Sequence, residues 1–157
     1  MPIQLEPWPD PGSPVGQKFF TNAQTLAQEF GVLKWSHVGM VAAIAAAELE
    51  TSLEWPCPTG DDGTAHGPWQ HHSDRIDDVL KGCGIDLRTC SLVDAARAID
   101  WETRAHPWLG RPDWFGCPTV RGAGILFRVQ FEGAEAPAAA VRCGMAADRW
   151  EQSGRLR

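Results

Sequence analysis

Residues 36–72 read SHVGMVAAIAAAELETSLEWPCPTGDDGTAHGPWQHH. In the first half of this stretch Val38, Val41, Ala42, Ala45, Leu49 and Leu53 recur with the 3.6-residue period of a helix face. Ser36 is well suited to accept a hydrogen bond from the first free backbone N–H groups. The pattern predicts a helix from Ser36 to about Leu53. From Trp55 to Gln70, Pro56, Pro58, Gly60, Gly63, Gly67 and Pro68 interrupt any regular element, so a glycine-rich loop or small hairpin is expected there.

The flanking sequence is also helical in pattern. Residues 1–16 hold five of the twelve prolines and read as an extended proline-rich arm. Asn22 to Phe30 can form a short helix stopped by Gly31. Ser73 is expected to cap a helix carrying Ile76, Val79 and Leu80 and ending at Gly82. Ser91 with Asp94 has the spacing of a capping box, which predicts a helix to about Ala105, ahead of Pro107. A Trp- and Pro-rich connection, His106 to Pro118, leads to two further helical segments, about Val120–Phe131 and Ala136–Glu151; Gly122 and Gly124 weaken the first. The expected architecture is a mainly α single domain over residues 17–157, preceded by the arm.

A chain of 157 residues fits one domain that can bury a core without metal or disulfide staples. Its net charge of −6 disfavours general affinity for nucleic acid or an anionic membrane. The five cysteines form no Cys-x-x-Cys pair, which disfavours a zinc ribbon or thioredoxin-type site, and free thiols are the expectation. Residues 1–14 lack the pattern of a secretory signal, and the apolar run Val38–Ala47 is too short to span a bilayer. Eight Trp and no Tyr exceed what a core of this size usually uses. Flat sugar faces stack on indoles, so the surplus suits a carbohydrate site, although core packing accounts for most tryptophans in most proteins.

Hydrolysis of a glycosidic bond requires a carboxylic acid still protonated near neutral pH. Glu50 meets that need at the end of the predicted helix. The negative end of the helix dipole, the nearby charges of Glu48 and Glu54, and burial beside Trp55 or Trp69 would all favour its neutral form. Glu50 lies about 100° beyond the core residue Leu49, on the side of Ala43 and Ala46, where small side chains would leave room for a ligand. Glu54 is the rival on that side. In the loop, Asp61 and Asp62 are candidates for holding an attacking water or ordering the loop, and an Asx-turn is an equal alternative for the pair. Gln70 offers a donor and an acceptor to a sugar amide or hydroxyl, or simply pins the loop.

The segment Glu50-Thr51-Ser52-Leu53, then Gly60-Asp61-x-Gly63-Thr64-Ala65-x-Gly67-x-Trp69-Gln70 and Arg75, resembles the tail-associated phage lysozyme family. More broadly it is similar to goose-type lysozymes and lytic transglycosylases. Ala98 to Glu102 is similar to that family's second Trp-Glu helix, and Phe131-Glu132 and Arg142–Trp150 to its closing helices. The similarity covers roughly residues 35–153. Thr51 and Ser52 depart from the usual Ser-Gly, and His71 stands where the family tends to have Trp.

The resemblance implies a single-domain lysozyme-like fold that cleaves the β-1,4 bond between N-acetylmuramic acid and N-acetylglucosamine in peptidoglycan. Glu50 aligns with the family's general acid; such sites often lack a firmly placed second carboxylate, and Asp61 is the candidate second catalytic group taken from the loop. Asp62, Thr64, Trp69, Gln70 and His71 would contact substrate, with His71 shaping one wall of a subsite. No cofactor is expected, nor a nucleic-acid or membrane partner. The protein would be made in the cytoplasm and carried to the cell wall by a phage or phage-like tail, with tail or baseplate proteins as neighbours.

Other readings compete. A non-catalytic tail component could use the same fold to bind glycan or a neighbouring protein. A chitin-directed hydrolase is a further alternative. His66, His71 and His72 with Asp61 and Asp62 offer donors for a metal, but without His-Glu-x-x-His spacing. Arg75 is expected to anchor the loop through Asp61 or Asp62, and Trp101-Glu102 to belong to helix packing.

Overall fold

A computed structural model describes residues 2–57, 59–134 and 136–157, with all their side chains except that of Asp62. The helix expected at Ser36 is present as α2, His37–Thr51, with the Ser36 hydroxyl accepting from the Gly39 N–H at 3.1 Å. It is buried on every side from Gly39 to Glu48, so its phase shows no open face. Ala43 and Ala46 make no space for a ligand, because neither is exposed to solvent. Small side chains instead let neighbouring helices close around α2.

Helix α1 runs over Pro14–Val32, longer than the predicted Asn22–Phe30 segment. Its start is encoded by Ser13, whose hydroxyl accepts from the Gly16 N–H at 3.0 Å, and by Pro14 in the first turn. The extended arm therefore ends at Ser13. Gly31 does not stop this helix, which continues to Val32.

Beyond the loop come α3, Ser73–Cys83, and α4, Leu92–Ala105, the latter capped by Ser91 on the Asp94 N–H at 3.1 Å. Gly84, not Gly82, turns the chain out of α3 with φ +78°. Gly82 serves packing: a Cβ there would lie 1.9 Å from the Trp101 ring of α4. The connection after α4 holds a short 3-10 turn, Pro107–Leu109, and α5, Arg111–Phe115. Helix α6, Val120–Leu126, runs directly into one turn of π-helix, Phe127–Phe131, and α7, Pro137–Ser153, closes the domain. The fold is thus mainly α and forms one domain around α2.

The tryptophans are chiefly structural. Trp35, Trp69, Trp114 and Trp150 are buried, and each indole N–H has a partner: Asp100, the Ala43 carbonyl, the Leu109 carbonyl and Glu48. All five cysteines are free thiols.

Candidate active-site groove

Glu48 and Glu50 stand two residues apart on α2, about 200° of helical rotation, and so face opposite sides. Glu48 turns into a buried cluster, accepting from Trp8 Nε1 at 3.0 Å and Trp150 Nε1 at 2.7 Å and pairing with Arg149. Burial pushes its pKa up against those partners. With Glu54 it lines a cavity of about 690 Å3 beneath the arm. Neither residue is therefore the like charge expected to face Glu50.

Glu50 opens on the other side, into a groove of about 430 Å3 lined also by Asp61, Trp69, Gln70, His72, Arg75, Arg128, Glu132 and Ala134. Helix α2 ends immediately after it. Ser52 takes the left-handed conformation, φ +52°, and returns its N–H to the Glu48 carbonyl. That is the position where the resembled family has glycine, and it is a common helix stop.

Behind Glu50 lies a pair missed at the level of sequence. Nη1 of Arg128 donates to both Glu50 Oε1 and Glu132 Oε2. Glu132 keeps only 6% of its side chain exposed, against 23% for Glu50. Burial drives the Glu132 carboxyl up to about 7; Arg128 opposes this and the Glu50 charge adds to it. Its second oxygen, Oε1, is buried with no hydrogen-bond partner, a situation far less costly for a neutral acid than for a carboxylate. The spacing of Arg128 and Glu132, four residues apart in a helical segment, signals an ion pair. Nothing local signals that the pair meets Glu50.

The loop forms the facing wall. Two antiparallel bridges, Gly60 with Ala65 and His66 with His71, make it a compact double turn. At Gly60 the Gln70 side chain packs closely: a Cβ there would meet its Oε1 at 2.3 Å and displace it. Asp61 and Gln70 both adopt positive φ, +47° and +48°, a conformation that costs free energy in residues with side chains and is enriched at functional sites. Asp61 pairs with His72 at 3.1 Å across the mouth of the groove. Trp69 is fixed under it by its bond to the Ala43 carbonyl, 2.8 Å. Gln70 Nε2 donates to the Gly67 carbonyl at 3.0 Å. The proposed substrate contact Thr64 lies outside the groove, its hydroxyl bonded to the Asp61 carbonyl at 2.8 Å. The side chain of Asp62 falls outside the described residues.

His71 is the clearest correction. It is fully buried beneath the loop, not a wall of a subsite. Burial lowers its pKa against the pull of Glu102; Nε2 lies 2.8 Å from Glu102 Oε2, and Nδ1 is buried with no partner. Arg75 Nε bonds the other Glu102 oxygen at 2.7 Å, and its Nη1 bonds the Phe131 carbonyl at 2.9 Å. Arg75 thus anchors the site through Glu102, not through Asp61. Burial would raise the Glu102 carboxyl, but the hydrogen bonds and charges of His71 and Arg75 overcome it and hold the pKa at about 2. The three loop histidines turn to three different partners, Gly63, Glu102 and Asp61, and among the described residues no group of three or more metal-binding side chains gathers.

Fold and groove together define a class: a mainly helical domain with a buried central helix that delivers one carboxylate to a cleft already lined by two further carboxyl residues and two arginines. Comparison with protein-family models, with curated proteins and with solved structures finds no match to this chain.

Proposed function

We propose that the groove binds a glycan strand of peptidoglycan and that Glu50 protonates the glycosidic oxygen of the bond between N-acetylmuramic acid and N-acetylglucosamine. The observation that carries this reading is the position of Glu50: at the end of a rigid, buried helix, partly exposed, in an open groove with a desolvated second carboxyl behind it. General acid catalysis of glycoside cleavage needs such a group within reach of the leaving oxygen. As the C–O bond breaks, its electron pair stays on the leaving oxygen, which takes the Glu50 proton. Asp61, on the facing wall, is the candidate for orienting water. Attack by the muramoyl 6-hydroxyl would need no second carboxylate and would give an anhydro product. Gln70, which lines the groove, is the candidate for polar contact to sugar substituents. Delivery by a phage-like tail belongs to the same proposal.

A non-catalytic glycan-binding role is the second reading, favoured by the ion pair between Glu50 and Arg128. Purified wild type and Glu50→Gln, added to chloroform-permeabilised Gram-negative cells or isolated sacculi, separate the two. Clearing by wild type alone, with at least a hundredfold loss in the variant, is expected. Sedimentation of both proteins with sacculi, without release of muropeptides, would favour binding. Equal clearing by both would remove Glu50 from the mechanism. Mass spectrometry of released fragments distinguishes a reducing end from a product lighter by one water.

A further inference from the structure

We infer that Glu50 and Glu132 act as one proton-sharing pair bridged by Arg128, and that Glu132 is a positioning residue setting the pH range in which Glu50 donates. The inference rests on the glycosidase reading for its kinetic consequence, but the pair itself is a structural claim.

Charge counting carries the argument. One guanidinium nitrogen contacts both carboxyls, so the three groups form a single cluster. With one proton shared between the two acids, the cluster is neutral wherever that proton sits. Moving it from Glu132 to Glu50 therefore creates no net charge in a desolvated site, while Arg128 stays with whichever carboxylate remains. Loss of the last proton leaves a net negative charge beside the buried Glu132, which favours retention of that proton. The raised Glu132 carboxyl and its unpartnered Oε1 agree with a proton resting there.

Other groups around the pair do not replace this balance: from the loop, Asp61 and His72 line the same groove but pair with each other at 3.1 Å. From α3, Arg75 reaches toward Glu132 but is committed to Glu102. From α7, the Cys143 thiol faces the cluster and burial keeps it neutral. From α5, Arg111 is paired with Asp100, and Asp113 accepts from Gln130. Glu48 on α2 is taken up by Arg149 and two indoles.

Removing either end shifts the balance in opposite directions. In Glu132→Gln, Glu50 and Arg128 alone are neutral without any proton, so the basic limb of the kcat/KM profile should fall by about one pH unit or more. Activity at acid pH should survive. In Arg128→Gln two carboxylates face each other uncompensated, and the limb should rise by a similar amount. A Glu132→Asp variant should restore much of the wild-type profile.

The test is a pH–rate profile on sacculi together with 13C NMR titration of the glutamate carboxyls in the same proteins. Coupled two-step titration of Glu50 and Glu132 in wild type, and opposite displacements in the two variants, are expected. Independent single-step titration in wild type would overturn the inference, and that measurement stands even where a variant does not fold. A folded Glu132→Gln that loses rate equally at all pH values would overturn it too, leaving a merely structural role. Coupled titration in a protein that cleaves no sacculi would retain the pair and reject the glycosidase reading.

Discussion

At Glu102, two forces of opposite sign meet, and the charged partner wins. A carboxylate this buried is tolerated because Arg75 and His71 each bond one of its oxygens. Breaking such an arrangement from one side leaves an uncompensated cation beneath the loop. Glu102→Ala should therefore cost about 3–5 kcal/mol in urea unfolding, more than a typical surface change. Because the folded pKa lies below the unfolded one, the stabilisation is present above about pH 4.5 and is lost as pH falls toward about 2. Wild type should show this acid-side loss and Glu102→Gln should show less of it, followed by far-UV circular dichroism across pH 2–6. At the same scale, Trp101-Glu102 is correctly read from the sequence as a packing element, whereas the assignment of His71 to a subsite fails. Its neighbours in the chain are loop residues, and burial under that loop is not written in their spacing.

Among the elements, α6 and α7 approach most closely where glycine permits. A Cβ at Gly124 would lie 2.8 Å from the Cys143 carbonyl oxygen, and one at Gly144 would lie 2.9 Å from the Arg121 carbonyl oxygen. Both obstacles are backbone, which cannot turn aside. Gly124 thus weakens the helix by propensity and is retained for packing. Gly124→Ala should destabilise by roughly 1–3 kcal/mol despite its better helix propensity, read as a lowered melting temperature. Immediately downstream the chain widens into the π-turn, with the Glu132 N–H reaching back to the Phe127 carbonyl at 3.3 Å. Such turns often occur at functional sites. Here it carries Arg128 and borders Glu132, and Arg128 bridges Glu132 to Glu50.

For the molecule as a whole, the arm is a strap and not a loose tail. Trp8 packs tilted or edge-on against Phe19, Phe20 and Trp150, donates to Glu48, and lies under the Arg149 guanidinium at 4.7 Å. Arg149 also holds the Glu6 carbonyl at 2.7 Å. The strap covers the side of α2 opposite the groove and leaves Glu48 only 8% exposed. Trp8→Ala should cost roughly 2–3 kcal/mol, somewhat below the value for a fully buried Trp, measured by chemical denaturation. If the groove is independent of the strap, clearing of sacculi per folded molecule should stay within about twofold of wild type.

The sequence by itself determined the mainly helical class, the caps at Ser36 and Ser91, the end of α2 near Glu50 and the turn-forming loop behind it. These are local properties, set by side-chain period, capping chemistry and backbone freedom within a few residues. Only the tertiary structure decided that Arg128 and Glu132 stand behind Glu50, 78 residues from Arg128, and that Glu102 lies under His71, 31 residues away. Desolvation and Coulomb energy depend on distance through space and on what excludes water. Neither quantity has a signature in chain spacing.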